Sequence, residues 1–165
     1  MNATSAPSTA AGSAARRAWM AVLARTPRAD LEAALAAALG GEPAPSFDWL
    51  RAPQTGLAMV RGRVGGTGNA FNLGEATVTR ATLRLRAPGS QSATVGVACH
   101  LGRDKRRAEL AALADALLQQ PERHDHLQAQ LIEPLAARLA AQRAARRDDT
   151  ASTKVEFFTM VRGDA

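Results

Sequence analysis

The apolar residues of this chain change their period twice, and that change limits what it can fold into. Over residues 16–39 they recur every three or four positions. Over residues 47–100 they alternate singly between breaks rich in glycine and proline, and from Asp104 the helical spacing returns. A period of about 3.6 lines up side chains on one helix face, and a period of about 2 lines them up on one strand face. Strands joined by short turns and bracketed by helices give an α+β domain built on an antiparallel meander.

In the first helix, over residues 16–25, Trp19 and Leu23 share a face. Thr26 is expected to cap a second helix that Pro27 opens, with Leu31, Leu35 and Leu39 in one stripe and Gly40-Gly41 as its end. Residues 42–46 are a linker. Residues 47–51 read as a short strand and residues 56–64 as a second, with Leu57, Met59, Arg61 and Arg63 on one face. Gly65 to Asn69 is the turn, residues 76–86 the third strand, Pro88-Gly89 a turn and residues 94–100 the fourth strand.

Residues 104–120 carry Leu110, Leu113, Ala114, Leu117 and Leu118 at helical spacing. Residues 122–147 continue as helix with a restart or kink at Pro134, and Arg143, Arg146 and Arg147 complement the macrodipole near its end. Residues 154–161 read as a closing strand, with Phe157 on one face and Phe158 and Met160 on the other. A strand apolar on both sides is either central in a sheet or covered by a partner. The expected fold is α+β. It has an antiparallel sheet of about four to five strands, N-terminal helices, two or three helices after the meander, and a C-terminal strand. Residues 1–15 are small and polar and are expected to be a disordered tail, leaving 16–165 as one domain.

With one cysteine, Cys99, the chain has no internal disulfide and no cysteine-rich zinc site. No apolar run reaches the roughly 18–20 residues that span a bilayer, so a cytoplasmic location is expected. The net charge is +6, and 19 of the 21 basic residues are arginine. Such a balance admits an anionic partner or a basic nucleic-acid-binding module, with Arg61, Arg63, Arg84 and Arg86 on a positive face. Aromatic residues do not interleave with those arginines, so a base-stacking platform is missing and no nucleic acid is expected.

Two segments suggest contact with an anion or a partner. Gly65, Gly66, Thr67 and Gly68 follow Arg61 and Arg63, and glycines let backbone N–H groups converge on an anion. A strand follows rather than a helix, and the G-K-[ST] ending of a phosphate loop is missing, so a plain hairpin turn is the stronger reading. Arg103, Lys105 and their neighbours crowd a helix start, where the macrodipole disfavours positive charge. An anion or an acidic partner would relieve that conflict, and Asp104 as a cap offsets part of it. His124 and His126 lack a third ligand and are expected in a solvated loop, so no metal site is assigned. No self-sufficient catalytic set is visible, and catalytic residues stay unassigned.

Four stretches taken together carry a family resemblance. They are Arg16-x-x-Trp19-Met20; Arg51-Ala52-x-x-Thr55-Gly56-Leu57 running to Gly65-Gly66-Thr67-Gly68 and Gly74-Glu75-Ala76-Thr77; Gly102-Arg103-Asp104-Lys105 with Asp115-Ala116-Leu117; and Phe157-Phe158-Thr159-Met160-Val161-Arg162-Gly163-Asp164. From about Arg16 to its end the chain resembles PhnG, a small subunit of the bacterial carbon–phosphorus lyase system. The resemblance implies a complex with PhnH, PhnI, PhnJ and PhnL. That complex couples a phosphonate to ATP with release of adenine, giving a ribose 1-alkylphosphonate 5-triphosphate. It also implies no cofactor held by this chain alone: ATP is a co-substrate of the complex, and the iron–sulfur cluster and SAM belong to PhnJ. Within such a complex, Phe157, Phe158, Met160 and Arg162 are the expected interface residues.

Overall fold

A computed structural model describes residues 9–86 and 94–153. Two helices, α1 (Thr9–Leu23) and α2 (Arg28–Ala38), precede three strands, β1 (Phe47–Arg63), β2 (Ala70–Leu85) and β3 (Val95–Leu101). Then come α3 (Lys105–Leu118), α4 (Pro121–Leu127), one wide π-type turn (Gln128–Ile132) and α5 (Glu133–Ser152). The strands form one antiparallel sheet in the order β1-β2-β3.

One face of the sheet meets the helices. Thr79, Ala81, Leu83 and Leu85 alternate along β2 and are buried, and their partners His100, Ala98 and Gly96 on β3 are buried with them. Helix α3 lies on this face and is buried over nearly its whole length. Its alanines let it approach closely: a Cβ at Gly96 would collide with the carbonyl oxygen of Ala112 and stand 2.8 Å from the Ala116 methyl. Leu23, Leu31, Leu35, Leu127, Leu131 and Leu135 from the surrounding helices complete one continuous core. The other sheet face exposes Arg80 and Arg84, and Cys99 and Leu101 are exposed on the edge strand β3.

The sheet is narrower and longer than the sequence suggests. The two strands expected at 47–51 and 56–64 are a single strand, β1, so the meander has three strands among the described residues rather than four. Between them stands Pro53, which cannot donate to a ladder. On this edge strand the chain absorbs it through register shifts between Trp49 and Arg51 and between Arg51 and Gln54, then resumes pairing. The expected closing strand at 154–161 and the Pro88-Gly89 turn lie outside the described residues.

Helix α1 begins at Thr9 and so includes residues 9–15 of the expected disordered tail. Thr26 does not cap α2. Its hydroxyl donates back to the Val22 carbonyl at 2.9 Å, and Pro27 stands at the cap position. Gly40 and Gly41 do end α2, both at positive φ. Because α5 runs to Ser152, Arg143, Arg146 and Arg147 sit inside it, and no basic residue occupies its last turn.

The helix-covered sheet ends at the pair Val78–Leu101. Beyond it, β1 and β2 pair only with each other and continue as a two-stranded arm to the tip at Gly65 and Gly66. At about 3.3 Å per residue, the eight steps from Val78 to Ala70 carry the arm roughly 25 Å from the sheet.

Candidate functional site

The arm carries the first group of candidate residues. At its tip Gly65 and Gly66 take φ of 60° and 79°, which L side chains rarely adopt. Arg63 donates to the Gly68 carbonyl at 3.0 Å, closing the turn. The expected glycine-rich turn is therefore present, and its arginine is spent on the turn's own backbone. Leu57, Met59, Val60, Val64, Phe71 and Leu73 are all exposed along the arm, between 41% and 71%. Phe71 and Leu73 lie over Gly62, where an added Cβ would stand 2.5 Å from Leu73 Cδ1. An extra residue, Leu73, enters β2 between the pairs Val60–Gly74 and Arg61–Asn72, and Gly74 takes a φ of 149° there.

The second group sits at the start of α3. Asp104 caps the helix, its Oδ1 accepting from the Arg107 backbone N–H at 3.0 Å, and its carboxylate also lies 3.8 Å from Arg28 Nε. Arg106 pairs with Glu109 at 2.5 Å and with Glu32 at 3.4 Å. Arg107 donates to the Ala24 carbonyl at the end of α1 at 2.6 Å. The crowding of positive charge is thus largely answered within the chain. Arg103 and Lys105 remain exposed, with no ion pair among the described residues. The Gly65–Gly68 tip and Arg103 are separated by most of the arm's length, so the chain does not bring the two groups together.

Arg61 and Arg63 are on the arm, whereas Arg84 and Arg86 are at the far end of β2, where Arg86 Nε donates to Asp48 at 2.9 Å. These four arginines do not share one positive patch. His124 and His126 stand on helix α4 rather than in a loop. Their ring nitrogens face the Leu118 carbonyl at 2.7 Å and the Ala38 carbonyl at 3.0 Å, the last residues of α3 and α2. They finish two helix ends. No group of three or more metal-ligating side chains occurs among the described residues. Phe157, Phe158, Met160 and Arg162 lie outside those residues.

Two arrangements were not foreseen from the sequence. The first is a buried carboxylate. Asp115 of α3 is fully buried and accepts from Arg16 Nη2 at 2.7 Å, Trp19 Nε1 at 2.9 Å and the Val97 backbone N–H at 2.9 Å. It joins α1, β3 and α3 and is closed to substrate. Its signal was an aspartate inside an Ala/Leu helix stripe, together with the Arg16-x-x-Trp19 spacing.

The second is a groove of about 610 Å³ between the end of α1, the β3 edge and α5. Arg25, Arg107, Arg143 and Arg146 line it with Cys99, His100 and Leu139, and no carboxylate does. Burial pushes the Arg107 guanidinium pKa down, and the charge of Asp104 partly opposes this. The four arginines come from the turn after α1, from α3 and from α5, so no local sequence motif announces them.

Comparison with known proteins supplies the family. A family model described as "Phosphonate metabolism protein PhnG" matches residues 14–163. The chain is 47% identical over 154 residues to the alpha-D-ribose 1-methylphosphonate 5-triphosphate synthase subunit PhnG of Rhizobium meliloti, with 93% of each chain covered.

Proposed function

The chain belongs to the PhnG family of phosphonate metabolism proteins, and from that membership we propose that it works as a non-autonomous subunit of a cytoplasmic carbon–phosphorus lyase core complex. The complex would couple a phosphonate to ATP, displacing adenine and leaving a ribose 1-alkylphosphonate 5-triphosphate. This chain would assemble with PhnH, PhnI, PhnJ and PhnL. The reacting groups, and the iron–sulfur cluster and SAM of the later bond cleavage, would reside on those partners.

The observation that carries this reading is the arm. A two-stranded ribbon with six large apolar side chains in water is costly for a free protein and useful for one that docks. Arg103 and Lys105, and the C-terminal Phe157, Phe158, Met160 and Arg162, are further proposed contacts for partner or substrate anion.

Co-expression of the tagged chain with the other subunits tests the reading. The expected outcome is co-elution as one complex that forms the ribosyl triphosphate product. The double variant Leu57→Ser/Met59→Ser should fold normally and lose the complex; co-elution at wild-type yield would remove the arm as the contact. If Arg103→Ala leaves assembly and product formation at wild-type level, Arg103 has no part in either.

A further inference from the structure

We propose that the groove between α1, β3 and α5 binds a small molecule through a phosphate or phosphonate group carrying more than one negative charge. Four arginines line one cavity, and no acidic residue does. None of the four makes an ion pair among the described residues, although Arg16, Arg28, Arg86, Arg106 and Arg138 all do. The charge is therefore concentrated where the chain itself does not neutralise it.

Arg107 adds a second and independent observation. Its Nε is buried and has no hydrogen-bond partner, while its Nη2 is tied to the Ala24 carbonyl. That donor is closed to a ligand as it is to water, so an anion in the groove would offset the charge of Arg107 electrostatically rather than by bonding to Nε. The remaining arginines suit the same ligand. Arg143 and Arg146 lie three residues apart on one face of α5, and Arg25 stands at the end of α1. Forked guanidinium groups match the oxygens of a phosphoryl group two at a time. The volume of the groove is that of an ordinary small-molecule site. Leu139 and Cys99 give its wall an apolar part that a bare counter-ion would not need.

This deepens the proposed function, and it rests on that reading only for where the anion comes from. A nucleoside triphosphate and an alkylphosphonate share the chemistry, so the test separates them. Cys99 is the chain's single cysteine, is exposed and lines the groove, so its alkylation by a neutral reagent reports occupancy. The probes are tripolyphosphate, ATP, adenosine and methylphosphonate, added to the purified full-length chain at matched ionic strength.

The expected result is slower alkylation, by about fivefold or more when the probe is well above its dissociation constant. Protection by tripolyphosphate and ATP but not adenosine assigns the phosphate chain as the ligand; protection by methylphosphonate alone assigns the phosphonate. Arg143→Gln/Arg146→Gln should abolish protection with the thermal midpoint unchanged, since both residues are exposed. Arg84→Gln, at an exposed arginine at the far end of β2 that does not line the groove, should keep it. Three outcomes overturn the proposal: no protection by any probe, equal protection by potassium chloride, and protection that survives in the double variant. A chain that co-elutes with its partners but shows no protection loses the groove and keeps its subunit role. A chain that shows protection but never assembles loses the subunit role and keeps the groove.

Discussion

Asp115 shows how one side chain can tie three elements together. Its carboxylate is fully buried, whereas its cation Arg16 is one-third exposed, so the two partners are not equivalent. Arg16→Ala leaves a buried charge with only neutral donors, while Asp115→Ala leaves a cation that still reaches water. Breaking a buried pair costs about 3–5 kcal/mol, and Arg16→Ala is expected at the upper end of that range. The double variant should cost less than the sum of the two, which denaturant unfolding of all three proteins would measure. The surface pair of Asp48 and Arg86 behaves differently. The hydrogen bond and charge of Arg86 hold the Asp48 carboxyl below the usual carboxylate range. Its small stabilisation is therefore complete at neutral pH and fades as pH falls through that lowered value. Titration of Asp48 by NMR should show a higher midpoint in Arg86→Gln, and equal midpoints would refute the pairing.

At the scale of the elements, β1 and β3 play opposite parts. Strand β3 must touch α3 through Gly96, where a Cβ has no room. Gly96→Ala is expected to cost about 1–3 kcal/mol or more by overpacking, read as a lowered thermal midpoint. The outer half of β1 touches little but β2. Excising residues 58–76 and joining Leu57 to Thr77 with Asn-Gly should change domain stability by less than about 1 kcal/mol while abolishing assembly. A large loss of stability would mean that the arm supports the fold. The helices and their ends were legible in the sequence where local chemistry sets them, as in Asp104 capping α3 or Gly40-Gly41 closing α2. The length of β1 was not, because residues 52–55, with Pro53 among them, separate two strand-like runs in the sequence and only the pairing with β2 joins them. His124 and His126 were misjudged for a similar reason: their carbonyl partners belong to other helices.

For the whole molecule, net charge proved less informative than its distribution. Several arginines are tied to carboxylates, while four gather around one groove from helices far apart in the chain. Such a site is invisible to spacing arguments, as is the Asp115 cluster, because both are created by the fold. The arm carries its tip away from the domain, while the groove, lined by Val78 and Leu101, opens at the arm's base. The Asp115 cluster also bears on the order of events during synthesis. Arg16 and Asp115 are 99 residues apart in the chain. A ribosome adds about 5–20 residues per second, so α1 waits several seconds at least before its anion emerges. Until then Trp19 has no acceptor and the apolar face of α1 no sheet to cover. The tie between α1, β3 and α3 therefore closes only after Asp115 has left the ribosome.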